Sequence, residues 1–418
     1  MNEKPNKEHR DWAWLLLVGA AGLLGMSLCL LTSADESAFR SISPWHYALR
    51  QGIFGLLALV LAWGIGRFLL HRPLLRHWYL FPALLLLVMI AAPISEATGW
   101  GRVVYGYGWW TRSIGVSVFV LALIFSASFV LPRFARGERG GAWAMAVLIA
   151  LLVVIPLFFL KRWGVMSVGI VAIALACSAT FTPRKLTVAL SGLVLAFLCA
   201  LLVQYAVAPE AMSRLLILSI EGTEHFQLRQ ALLAVHSGGL LGWGSQPVWI
   251  PEWHTDFMFA RLCGAGGWSG GLAALAAIGM MFSLAWRIAI RQEDLRARAL
   301  AAACAGAFTL PALLHVAVNL GWFPTLGINF PFLSYAPNLL LPNGLLLGLL
   351  LSLSREPIVR AEENDDPGKA SQNHLFKVLA LVLIWSLIGL FALRIGTLVY
   401  AAPQLQELRM HQLEQAEE

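Results

Sequence analysis

Asp256 is the residue in this chain best placed to do chemistry. It lies in the run His254, Thr255, Asp256, Phe257, near the end of a polar, glycine-rich stretch, Gln227–Ala260, set between long apolar segments. An ionisable side chain at the edge of a hydrophobic span is costly to place. Only 13% of the residues are charged, so a carboxylate kept there points to use. Such a carboxylate can take a proton from a hydroxyl, because apolar surroundings raise its affinity for one. It can equally hold a hard cation through its oxygens. The residues alone leave both roles open beside a plainer one, an acidic side chain at a solvated loop end.

The elements that must position it are membrane helices. The chain is 59% hydrophobic, and an apolar run of about 20 residues crosses about 30 Å of hydrocarbon. Eleven runs qualify: Trp12–Leu31, Tyr47–Leu70, Trp78–Ile94, Ile114–Leu131, Ala142–Leu160, Gly164–Phe181, Leu186–Val207, Trp268–Ile288, Leu300–Trp322, Tyr335–Leu353 and Leu375–Tyr400. In lipid every backbone amide must be satisfied within the segment, which dictates helices and an all-α, polytopic membrane protein. No stretch remains for a folded soluble domain.

Basic residues mark alternate loops. Lys4, Lys7 and Arg10 precede the first span; Arg67, Arg72 and Arg76 follow the second; Arg133, Arg136 and Arg139 the fourth; Arg184 and Lys185 the sixth; Arg287, Arg291, Arg296 and Arg298 surround the end of the eighth; Arg355 and Arg360 follow the tenth. The positive-inside rule then places the N-terminus in the cytoplasm and the C-terminus outside. Lys161 and Arg162 fall in an outer loop against the pattern. The net charge of +7 therefore suits an anionic membrane surface, and no basic-aromatic motif points to nucleic acid. The first apolar run is too long for a cleaved signal peptide. Five cysteines, with no CxxC, read as packing residues rather than disulfides. The expected organisation is a membrane core over residues 1–354 with a large outer segment at 208–267, a charged cytoplasmic linker at 355–374, and a last span with a short tail at 375–418.

Two patterns resemble the SEDS family, the RodA/FtsW-like peptidoglycan glycosyltransferases. The first is Gln227, Gln230, Ser237, Gly238, Gly239, Gly242, Gly244, Pro251, Glu252, His254, Thr255, Asp256 and Phe257. The second is Asn319, Pro324, Gly327, Pro331, Phe332, Ser334, Tyr335 and Asn343. Arg50, Gln51, Gly99, Arg102 and Arg214 are weaker matches. The resemblance implies a ten-helix core that polymerises lipid II at the outer face of the bacterial inner membrane, in division or cell-shape control. It implies Asp256 as the essential carboxylate, a class B penicillin-binding protein as partner, and Arg214, Arg102, Gln227, Gln230, Glu252, His254, Thr255, Asn319, Ser334 and Tyr335 as substrate-binding candidates. Sugar transfer from a lipid diphosphate needs a base for the attacking hydroxyl and positive charge for the departing diphosphate. Arg214, Arg102 and Arg112 are the arginines suited to the second task. Asp256 could instead hold magnesium or manganese on the diphosphate; no resident protein metal cluster is expected.

The chain departs from the family near the site. Residues Arg261 to Trp268 contain no acid where the family carries a glutamate, and Arg112 to Gly115 lack the QPSE pattern. Leu160 to Gly164 replace a QPD turn, and Ala336-Pro337 replace Gly-Gly. These losses mark a divergent member and keep a lipid II flippase and a catalytically impaired scaffold as alternatives. The aromatic run Trp100, Tyr105, Tyr107, Trp109 and Trp110 reads as an interfacial belt before it reads as a sugar platform. His315 and Asn319, one turn apart, read as helix-to-helix hydrogen bonding. Leu375–Tyr400 lies outside the family core and loosely resembles the anchor of a penicillin-binding protein.

Overall fold

The computed structural model describes residues 7–33, 44–68, 70–87, 115–155, 163–207, 226–242, 248–322 and 327–355. Among the described residues the chain is all-helical. The helices are α1 (Lys7–Thr32), α2 (Pro44–Arg67), α3 (His71–Arg76), α4 (Gly115–Arg136), α5 (Gly141–Val154), α6 (Trp163–Thr180), α7 (Pro183–Val207), α8 (Phe226–Ser237), α9 (Met258–Arg291), α10 (Leu295–Asn319) and α11 (Pro337–Leu353). Residues 80–87 are helical too, within the expected span Trp78–Ile94. Six of these helices are long and apolar enough to cross a membrane. The expected span Leu375–Tyr400 and the linker before it lie outside the described residues.

Helix α10 is the axis. Its alanine-rich first half is buried on every side, and it packs against α9, α6 and α4. Helices whose lipid-facing alternative is as apolar as their neighbours associate through close backbone approach. The pairing of α2 with α11 shows this. A Cβ on Gly344 would meet the backbone of Ala58, and one on Gly348 would meet Ile65 and Ala62. Helix α1 lies on α2 and α9.

Two features differ from the sequence expectation. The stretch after Gln227 is not all loop: α8 occupies its start and buries Leu228 and the run from Gln230 to Val235. Helix α9 begins at Met258, ten residues before the expected Trp268, and breaks at Gly267, where φ is 65° and ψ is −170°. The reason is packing. Phe257, Met258, Phe259 and Ala260 are all buried, so the residues just after Asp256 belong to the core.

Candidate active site

Asp256 sits where α9 starts, and the preceding turn fixes it. The amides of Thr255 and Asp256 both donate to the Glu252 carbonyl at 3.1 Å, and the Thr255 hydroxyl donates to the same oxygen at 3.2 Å. Glu252 itself is left-handed, with φ 52°, a conformation that non-glycine residues hold only when their surroundings impose it. Asn319, at the end of α10, donates from Nδ2 to the Asp256 carbonyl at 3.0 Å. The carboxylate faces the segment before α11: a Cβ on Gly327, where φ is +58°, would stand 3.9 Å from Asp256 Oδ2. The positive φ suits glycine, and the 3.9 Å separation leaves room beside the carboxylate.

The two motif segments are joined by backbone and rings. The Tyr335 amide donates to the His254 carbonyl at 2.7 Å. Tyr47, from α2, lies edge-on to His254 and Tyr335, with centroids 5.4 and 4.9 Å away. His254 and Tyr335 are 5.9 Å apart. Edge-to-face geometry of this kind is the preferred aromatic arrangement. Gln51, fully buried on α2, donates to the Ser334 carbonyl at 3.0 Å and accepts from the Ala336 amide at 3.3 Å. It fixes the main chain on both sides of Tyr335. His254 Nε2 is 3.8 Å from the Glu252 carboxylate. Burial holds the imidazole below its ordinary pKa, while Glu252 pulls the other way. Burial wins, so His254 is neutral near pH 7.

The sequence candidates therefore divide. Glu252, His254, Thr255, Asp256 and Tyr335 come together at one place. Ser334 is buried, and its hydroxyl accepts from the Phe330 amide at 3.0 Å. Asn319 is also buried, and its amide is taken up by the backbone at Asp256, Ala260 and His315. Gln230 is buried on α8 and Gln227 is exposed there. Arg102, Arg112, Arg214 and the aromatic run 100–110 lie outside the described residues. Tyr47 was not anticipated. Nor was Arg261, whose guanidinium lies over the Trp253 ring at 5.2 Å, one helical turn beyond the turn that carries Asp256. Arg50, one turn along α2 from Tyr47, exerts an electrostatic pull on Tyr335.

The glycines of the first motif have a structural task. Gly238, Gly242 and Gly267 pack backbone against backbone, and a Cβ on any of them would strike a main-chain carbonyl of the other segment. The Trp268 amide donates to the Gly239 carbonyl at 2.9 Å, and its indole donates to the Val235 carbonyl at 3.0 Å. The run that could be taken for an anion cradle is the seam that locks α8 onto the break in α9.

Bundle and site together define a polytopic helical membrane protein with a carboxylate held at one end by two converging segments. The FtsW/RodA/SpoVE model, described as cell cycle protein, matches residues 11–358, and the chain belongs to that family. It is 32% identical over 376 residues to a protein of Alcanivorax borkumensis called Probable peptidoglycan glycosyltransferase FtsW, covering 82% of this chain and 91% of that one. A protein of the same name from Halomonas elongata is 30% identical, with coverages of 84% and 92%. Among solved structures, a chain from a peptidoglycan synthase complex matches with a TM-score of 0.59 at 22% identity, covering 82% of this chain and 97% of that one. The rod shape determining protein RodA of Thermus thermophilus matches with a TM-score of 0.53 at 20% identity, with coverages of 82% and 96%. These two likenesses are of fold.

Proposed function

We infer that this chain is a membrane peptidoglycan glycosyltransferase of cell division or cell-shape control, with lipid II as donor and Asp256 as its general base. The observation that carries this reading is the placement of Asp256. Its main-chain carbonyl accepts from Asn319 and its carboxylate lies near Gly327, so residues of the second motif meet the aspartate of the first. In the reaction the acceptor hydroxyl oxygen bonds to the anomeric carbon of the donor. The bond from that carbon to the diphosphate oxygen breaks, and its electron pair leaves on the diphosphate. The hydroxyl proton passes to Asp256. Positive charge must meet the departing diphosphate, and Arg50 and Arg261 are described cations at this end of the bundle, with Arg102 and Arg214 as further candidates.

Among the described residues no group of three His, Cys, Asp or Glu side chains converges. A magnesium or manganese ion at Asp256 would have to draw most of its oxygens from the substrate diphosphate and water. The site opens to the outer face of the inner membrane in this reading, and a class B penicillin-binding protein is the partner that would crosslink the product.

The test is polymerisation of lipid II by the purified chain with its class B partner, wild type against Asp256→Asn. The substitution keeps volume and removes the base, and general-base catalysis is worth about 10²–10⁴-fold. A loss of that size is expected. Wild-type polymer from Asp256→Asn would sink the reading.

A further inference from the structure

We propose that His315 and Asn319 are positioning residues for Asp256, forming a helix cap that α10 supplies to α9; this rests on the functional reading above. The first turn of any helix leaves amides with no intrahelical acceptor. A Ser, Thr, Asn or Asp at the N-cap normally accepts from one of them. Helix α9 has Phe257 at its N-cap, with no side-chain hydrogen bond to offer. The acceptors come instead from the last turns of α10. Asn319 Oδ1 accepts from the Ala260 amide at 2.8 Å, and His315 Nε2 accepts from the Phe259 amide at 3.3 Å.

The remaining polar atoms of the pair bond to the main chain of Asp256 and of the segment that faces its carboxylate. Asn319 Nδ2 donates to the carbonyl of Asp256 itself at 3.0 Å and to the His315 carbonyl at 2.8 Å. His315 Nδ1 donates to the Ile328 carbonyl at 2.7 Å, next to Gly327, the residue that faces Asp256 Oδ2. These two contacts require a neutral ring with its proton on Nδ1. Both side chains are almost fully buried, so water cannot replace either one cheaply. One pair of residues thus sets the backbone that carries the base and the segment opposite it.

The test separates positioning from packing by reading two things on the full-length chain. The first is hydrogen exchange of the peptide spanning Phe257 to Leu262. The second is lipid II polymerisation, split into kcat and KM. Misplacing a catalytic group by an ångström can cost about 10²-fold, so His315→Leu and Asn319→Leu should lower kcat by about tenfold or more, with KM within about twofold. Both should speed exchange of that peptide and leave the α4 and α6 peptides unchanged. His315→Gln, which can both accept and donate, should restore most of kcat and of the protection. Unchanged exchange in His315→Leu and Asn319→Leu overturns the cap. Faster exchange with wild-type kcat overturns the positioning role, as does a His315→Gln variant no better than His315→Leu. A wild-type chain that makes no polymer defeats the functional reading instead, and the exchange arm still decides whether the cap exists.

Discussion

His254 gives the site a dependence on pH whose sign follows from its surroundings. Burial is the larger influence and lowers its pKa from the ordinary 6.5; the Glu252 carboxylate is the lesser, opposing one. The unfolded chain therefore binds a proton more readily than the folded chain, and stability rises with pH across that interval. The contribution is present above the unfolded value of 6.5 and is lost as pH falls below it through the lower folded value. Thermal unfolding in detergent between pH 5 and pH 8 should show the melting temperature dropping on the acid side, and His254→Gln should flatten that drop. An equal drop in both proteins would remove His254 as its source. At this scale the sequence was legible where a chemical type stood out against its neighbours. Asp256, His254 and Tyr335 are polar or ionisable groups at the margins of apolar runs. His315 and Gln51 were legible only as polar residues in helices. Their tasks depend on where a second helix begins and where a distant loop folds back, and no spacing along the chain encodes that.

At the scale of elements, α8 and the start of α9 were hidden by glycine. A run with Gly238, Gly239, Gly242 and Gly244, and then Gly264, Gly266 and Gly267, reads as loop because glycine weakens helices. Here the glycines mark where two backbones touch, and burial of Phe257 to Ala260 outweighs their weak propensity. Gly267 tests this. Its φ of 65° and ψ of −170° are essentially open to glycine alone, and a Cβ there would collide with the Leu240 carbonyl and the Gly242 amide. Backbone strain of this kind costs about 1–3 kcal/mol and overpacking about 1–3 kcal/mol, so Gly267→Ala should destabilise by about 2–6 kcal/mol in a denaturant titration. Gly22, which has open space around its Cα, is the matched control: Gly22→Ala should be neutral or mildly stabilising, since alanine is the better helix former. Equal stability of Gly267→Ala and wild type would mean that the seam is not rigid.

At the scale of the whole molecule, the alternation of basic loops read from the sequence corresponds to one end of the bundle. The Arg291 guanidinium lies 4.1 Å from the Trp12 ring centroid, which brings the end of α9 to the start of α1. Arg133 and Arg296 both approach the Phe129 ring, at 5.0 and 5.4 Å, which brings the end of α4 to the start of α10. Gln292 donates to the Leu353 carbonyl at 3.2 Å, so the end of α11 belongs with them. Asp256, Asn319 and Pro337 stand at the opposite ends of α9, α10 and α11. Positive charge is retained on the cytoplasmic side, so Asp256 should face outward. Single cysteines in a background lacking the five native ones would check it. Glu252→Cys, at an exposed turn beside the site, should react with an impermeant thiol reagent on intact spheroplasts. Glu138→Cys, beside Arg133 and Arg136, should react only after permeabilisation. The same experiment extends to residues outside the described set: Glu418→Cys should label from outside and Asp366→Cys should not, if Leu375–Tyr400 is a further span. Labelling of Glu138→Cys in intact cells would invert the molecule and put Asp256 on the wrong side for a lipid-linked precursor polymerised outside. Absence of labelling at both Glu418→Cys and Asp366→Cys would leave the site where it is and remove only the last span.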